Sequence, residues 1–139
     1  MTERPPMDQT LMYIANLMAE RSTCQRAHVG AVIALEGRII TTGFNGAPAG
    51  LPHCDHDDSF VPPCVNAVHA ETNAIAFAAK HGLTTNGATI FTTHSPCIPC
   101  AQLIINAGII RVVAGQLYRV PAGWTLLQQA NITTDRWDA

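Results

Sequence analysis

Hydrophobic positions along this chain change period several times, and each change marks an element. Leu11, Ile14, Ala15 and Met18 recur at helical spacing behind Asp8, which predicts a first helix capped by that aspartate. "HVGAVIALEGRIITTGF" is rich in β-branched residues and breaks at Glu36-Gly37, which predicts two strands joined as a hairpin. From Asn45 to Pro63 the period is lost in "NGAPAGLPHCDHDDSFVPP". A loop of roughly 20 residues is uncommon inside a compact domain and is usually functional. "VNAVHAETNAIAFAAKHG" reads as an alanine-rich helix ended by Gly82, and "GATIFTT" as a buried strand. "CIPCAQLIINAG" then predicts a helix stopped by Gly108, "IIRVVAG" a strand, and "AGWTLLQQAN" a last helix before a short tail strand.

The order α-β-β-α-β-α-β-α, with that tail strand behind it, predicts an α/β domain over residues 1–139 with one mixed sheet and helices on both faces. There is no internal repeat and no linker. Composition agrees: 47% apolar and 13% charged residues describe a compact globular chain of 139 residues, long enough to bury a core. No apolar run approaches the roughly 20 residues that span a bilayer. The opening "MTERPPMDQT" lacks the layout of a secretory signal, so a cytoplasmic, reducing location is expected. In that compartment Cys97 and Cys100 are expected to bind metal or to be catalytic, not to form a disulfide. A net charge of −2, a single lysine and 6% aromatic residues argue against a nucleic-acid surface and for a small substrate.

The chemistry lies at two predicted helix starts. Cys97 and Cys100 stand three residues apart, so both sulfurs face one way, and the helix's positive end favours thiolate. Pro99 is tolerated there because the first turn has no N–H partner to lose. His69 offers a third zinc ligand from the other helix. Three protein ligands leave one tetrahedral position open, the arrangement of a catalytic site and not of a closed structural one. Glu71, two residues after His69, supplies a carboxylate that can carry a proton between water and substrate. Together these residues match the known H-x-E … P-C-x-x-C signature of the zinc deaminases. The bland alternative is a zinc staple between two helices with no turnover, a reading that has no use for Glu71.

"VGAVI", "GFNGAPAGLPHC", "HAETNAI", "GATIFTTHSPCIPCAQLIINAGI" and "VVAGQLY" resemble the cytidine/deoxycytidylate deaminase superfamily over most of the chain, and its deoxycytidylate branch in particular. The resemblance implies a cytidine-deaminase-like three-layer α-β-α fold with a mixed five-stranded sheet. It implies a zinc-dependent hydrolase that converts dCMP to dUMP and ammonia, with His69, Cys97 and Cys100 on the metal and Glu71 as proton shuttle. It further implies that the Ala70 N–H holds the base carbonyl and that Asn45 meets the sugar hydroxyl. Lys80 and Arg26 become phosphate candidates, and Tyr118 lies near the nucleotide. A homohexamer activated by dCTP and inhibited by dTTP, with Mg2+ accompanying these effectors, is implied as well. The alternatives are a deaminase of another cytosine nucleoside or nucleobase, or the non-catalytic zinc-stapled module.

Each substrate residue also has a plainer reading: a turn for Asn45, helix-end solvation for Lys80, an idle surface position for Arg26, rim packing for Tyr118. Cys24 is expected to be a buried small hydrophobe. His53, Cys54, His56 and Cys64 could assemble a second, structural zinc, against ordinary polar loop chemistry. His94, directly ahead of "SPC", is unusual for the family and either lines the active site or caps its strand.

Overall fold

The computed structural model describes residues 3–24, 27–53 and 67–138. Its elements run α1 (Met7–Ala19), β1 (Gly30–Leu35), β2 (Arg38–Phe44), α2 (Ala70–Lys80), β3 (Thr89–His94), α3 (Ile98–Asn106), β4 (Arg111–Gln116), α4 (Ala122–Gln129) and β5 (Thr133–Arg136). The five strands form one sheet in the order β2-β1-β3-β4-β5. β1 is antiparallel to both β2 and β3, while β3, β4 and β5 are parallel. The hairpin turn is where expected: Glu36 and Gly37 both have positive φ, 53° and 75°. Two such residues in succession give the turn whose twist matches that of the flanking strands.

Strand alternation divides the core. Val32, Ala34, Phe91 and Val113 face α1 and meet Leu11, Met12 and Ala15. Ala31, Ile33, Ile90 and Val112 face the other way, onto Ala70, Ala74, Ile104 and Leu127 of the remaining helices. The result is the three-layer α-β-α arrangement with a mixed five-stranded sheet. The helix stops also stand as expected. Gly82 (φ 68°) closes α2 with its Leu83 neighbour donating to the Ala78 carbonyl at 2.9 Å, and Gly108 (φ 78°) closes α3 in the same way.

Two details of α1 differ from expectation. Asp8 is no cap: the helix starts at Met7 behind Pro6, so the aspartate falls inside the first turn. Its carboxylate instead accepts from Arg111 Nη1 and Nη2 at 3.0 and 2.6 Å, and Arg111 Nε donates to Asp135 at 2.9 Å. A forked guanidinium binds a carboxylate better than a single amide does, so Asp8 ties α1 to β4 and β5. The buried stripe is also rotated, to Leu11, Met12, Ala15 and Ala19, with Ile14 and Met18 only half-buried. Gly30 explains it. Its bare backbone lies directly beneath Ala15 O and Ala19 N, drawing the small residues of α1 onto the sheet.

The same device positions the functional helices. A β-carbon on Gly43 of β2 would overlap Ala70 O and come within 2.8 Å of Ala74 N, so α2 begins flush on the strand. A β-carbon on Gly123 of α4 would overlap Pro96 O and the Cys97 backbone. Among the described residues, no helix is long and apolar enough to cross a membrane.

Candidate metal centre and active site

His69 and Cys97 occupy matching places, each the residue that caps a helix: α2 for His69, α3 for Cys97. Cys100 lies one turn into α3 and is buried. Neither helix start is capped by a side-chain hydrogen bond, so two positive helix ends converge on the site.

His69 Nδ1 is 3.3 Å from Cys97 Sγ and 3.3 Å from Cys100 Sγ. All three ligand atoms fall within 4.8 Å of one another, and no other such cluster of three occurs among the described residues. A tetrahedral zinc with ordinary Zn–N and Zn–S bonds requires about 3.6 Å between such a nitrogen and each sulfur. The three side chains therefore fit the ion with shifts of a few tenths of an ångström. The protonation pattern fits too. The Cys100 thiol donates toward Cys97 and, with His69, holds the Cys97 thiol down to about 4. Cys100 is pushed upward chiefly by its hydrogen bond to Cys97, then by burial. His69 is raised, chiefly by its hydrogen bond with Cys97. Cys97 is thus the thiol readier to bind a dication, and both cysteines bind as thiolates.

Glu71 follows on the next position but one after His69, inside the first turn of α2, and is only 4% exposed. Burial is the largest influence on its carboxyl and pushes it above the usual carboxylate range. Such a group takes up a proton readily, as a shuttle must. Ala70, the first residue of α2, is fully buried, and its N–H belongs to the first turn, where helix N–H groups lack intrahelical acceptors. Thr72 Oγ1 lies 3.5 Å from Cys100 Sγ, within hydrogen-bond reach of the sulfur.

One family model, described as the cytidine and deoxycytidylate deaminase zinc-binding region, matches residues 5–116. The chain belongs to the cytidine and deoxycytidylate deaminase family. This family member is 40% identical to ComE operon protein 2 of Bacillus subtilis over 96% of its own length and 72% of that protein. It is 34% identical to the deoxycytidylate deaminase of Enterobacteria phage T2, over 88% of each. Among solved structures, the dCMP deaminase of cyanophage S-TIM5 in complex with dCMP and dUMP superposes with a TM-score of 0.88 at 33% identity, covering 98% of this chain and 100% of that one. The His69–Cys97–Cys100 cluster lies within the residues that the zinc-binding family model matches.

The remaining sequence candidates are spread more widely in this deaminase. Asn45 is 7% exposed and its amide is engaged: Oδ1 accepts from Val29 N–H at 2.8 Å and Nδ2 donates to the Ala27 carbonyl at 2.7 Å. Its φ is not positive, so it pins the entry to β1 and serves no left-handed turn. Tyr118 stands close to the centre. Partial burial, then the neighbouring acidic groups, Glu71 first, push its phenol up to about 12. His94 stacks on Tyr118, centroids 6.0 Å apart, and its Nδ1 lies 2.9 Å from Thr93 Oγ1. Burial lowers the His94 pKa, which favours the neutral ring. Lys80 lies at the far end of α2 and lines a separate cleft with Phe44, Asn73 and Phe77. Cys24 is buried, as expected. Arg26 lies outside the described residues, as do Cys54, His56 and Cys64; His53 is exposed.

Arg119 carried no sequence signal beyond following Tyr118. With Cys97, Pro99, Tyr118 and Val120 it lines a cleft of about 480 Å³.

Proposed function

We propose that the protein hydrolyses dCMP to dUMP and ammonia. The observation that carries this reading is the juxtaposition of a three-ligand zinc site with the buried Glu71 on the same helix turn as His69. Relatives named deoxycytidylate deaminase and the cyanophage complex support dCMP as the substrate. His69, Cys97 and Cys100 would hold the zinc, which would supply the acidity that makes a water nucleophilic at neutral pH. Glu71 takes one proton from the attacking water and delivers it to the pyrimidine N3, then takes the proton of the new C4 hydroxyl and passes it to the departing amine. Water adds at C4, the C4–N bond breaks, and ammonia leaves. The Ala70 N–H holds the base carbonyl, and its methyl side chain lets the ring approach. Tyr118 walls the ring, and Asn45 meets the sugar through the lone pair and N–H its backbone bonds leave over.

Loss of absorbance on deamination, followed side by side for dCMP, cytidine and deoxycytidine, tests the reading. Turnover of dCMP above both nucleosides is expected; equal turnover of all three, or none, overturns it. The reading extends to activation by dCTP and inhibition by dTTP, with Mg2+, in a cytoplasmic homohexamer. The resemblance carried by "GFNGAPAG" supports that extension, and rates unresponsive to either triphosphate would remove its regulatory part.

A further inference from the structure

We infer that His94 is a positioning residue: it holds the Tyr118 ring as a fixed wall of the zinc cleft and acts on the substrate through that ring. The inference rests on the proposed role of Tyr118 in dCMP deamination and names what keeps the phenol in place. Tyr118 needs such a support. It stands beyond the end of β4, is 45% exposed and lines the cleft that has Cys97 in its wall. Its main chain is secured, because its N–H donates to Ser95 Oγ at 2.8 Å and Ser95 N–H donates to the Gln116 carbonyl at 2.7 Å. Its side chain is not: among the described residues the phenol hydroxyl makes no hydrogen bond. An exposed ring held at its backbone alone changes rotamer within nanoseconds, and a wall that turns gives a planar substrate no fixed face to meet.

His94 supplies the missing contact. It is the last residue of β3 and pairs in register with Gln116, the last of β4, so Tyr118 follows two positions beyond its partner. The two rings stack with centroids 6.0 Å apart and 29° between their planes, within the range where aromatic pairs attract. The imidazole is itself anchored. Thr92 Oγ1 donates to the His94 carbonyl at 2.8 Å, and Thr93 Oγ1 lies 2.9 Å from Nδ1. Both threonines are buried. Thr93 Oγ1 also accepts from Gly30 N–H on β1 at 3.1 Å. Its own proton has no other acceptor among the described residues, so it goes to Nδ1 and leaves the proton of the neutral ring on Nε2. The lowered His94 pKa, caused by burial, agrees with that neutral form. Support therefore runs from the sheet through Thr93 and His94 to the phenol. With one face against His94, Tyr118 keeps the other for a ligand.

The test uses zinc-loaded wild type, His94→Ala, His94→Phe, His94→Asn, Tyr118→Ala and the double variant His94→Ala/Tyr118→Ala, with dCMP as substrate. The chain has two tyrosines, so labelling with 3-fluorotyrosine gives two fluorine resonances, assigned with Tyr13→Phe. In wild type the Tyr118 fluorine should relax as a ring held to the protein, and in His94→Ala as a ring turning freely. His94→Ala is expected to keep one zinc per chain and to lower kcat/KM for dCMP by roughly 2- to 12-fold, the range of a lost aromatic pair. His94→Phe, which keeps a ring, should recover part of that loss, and His94→Asn should not. On the Tyr118→Ala background, removing His94 should cost nothing further, since a residue acting through another is silent once that other is gone. Wild-type kcat/KM or unchanged Tyr118 relaxation in His94→Ala would overturn the inference. So would the same loss with and without Tyr118, or recovery by His94→Asn instead of His94→Phe. Should wild type leave dCMP unchanged, the proposed function fails, and fluorine relaxation still decides whether His94 holds Tyr118.

Discussion

Gly43→Ala adds one methyl group at the point where α2 sits on β2, and its consequences can be worked out from the structure. The new carbon would overlap the Ala70 carbonyl oxygen and stand 2.8 Å from Ala74 N and 3.1 Å from Ala74 Cβ. Backbone on both sides leaves no flexible end to yield, so the first turn of α2 must lift by roughly 1 Å from the strand. His69 and Glu71 ride on that turn, while Cys97 and Cys100 stay with α3. The two 3.3 Å contacts between His69 Nδ1 and the sulfurs then open past the spacing a tetrahedral ion accepts. Overpacking of this kind destabilises by about 1–3 kcal/mol, or a fall in Tm of roughly 3–12 °C for a chain of this size. Misplacement of catalytic groups by about 1 Å lowers kcat on the order of 100-fold, and zinc affinity should fall about 10- to 100-fold, as when an outer-shell support is lost. Thermal denaturation, competition with a zinc-binding dye and initial rates on dCMP measure the three quantities. A Gly43→Ala protein with wild-type Tm, zinc affinity and kcat would show that close approach of strand and helix does not set the geometry of the site.

Other outcomes follow from single contacts. Glu71→Gln should keep one zinc per chain by elemental analysis yet lose roughly 10²–10⁴-fold in kcat, because only proton transfer is removed; full activity would remove Glu71 from the mechanism. Asp8→Asn should lower stability by about 1 kcal/mol at neutral pH, since a forked, half-buried ion pair is broken. Arg111, chiefly through its hydrogen bonds, holds the Asp8 carboxyl below its ordinary value of 3.8. The contribution is therefore complete above that unfolded-state value and is lost as pH falls through the lower folded one. Urea melts of both proteins across acidic pH should converge; a gap that persists in acid refutes the assignment. Asn45→Ala should cost about 1–3 kcal/mol, because it strands the buried Val29 N–H and removes the bond to the Ala27 carbonyl. An unchanged denaturation midpoint would contradict that structural role.

The chain's local chemistry was legible without any structure because it depends on neighbours a few residues away. The Glu36-Gly37 turn, the helix stops at Gly82 and Gly108, and the Cys97/Cys100 pair at a helix start all follow from short-range backbone geometry and residue type. The zinc triplet was legible for a related reason: thiolates and imidazole at fixed spacing have few other uses. Wherever the outcome depended on which remote segment arrives, local pattern was insufficient. Asp8 looked like a cap because caps are local, but its partner Arg111 lies 103 residues away. The plainer reading of Asn45 as a turn residue missed that its amide binds the main chain 16 and 18 residues earlier. The order β2-β1-β3-β4-β5, the close seats at Gly30, Gly43 and Gly123, and the meeting of Arg119 with Cys97 across one cleft are likewise products of packing. Residue type and short-range spacing determine which groups can perform the chemistry. The folded sheet decides which of them meet, because burial energy is summed over the whole chain and no short segment contains it.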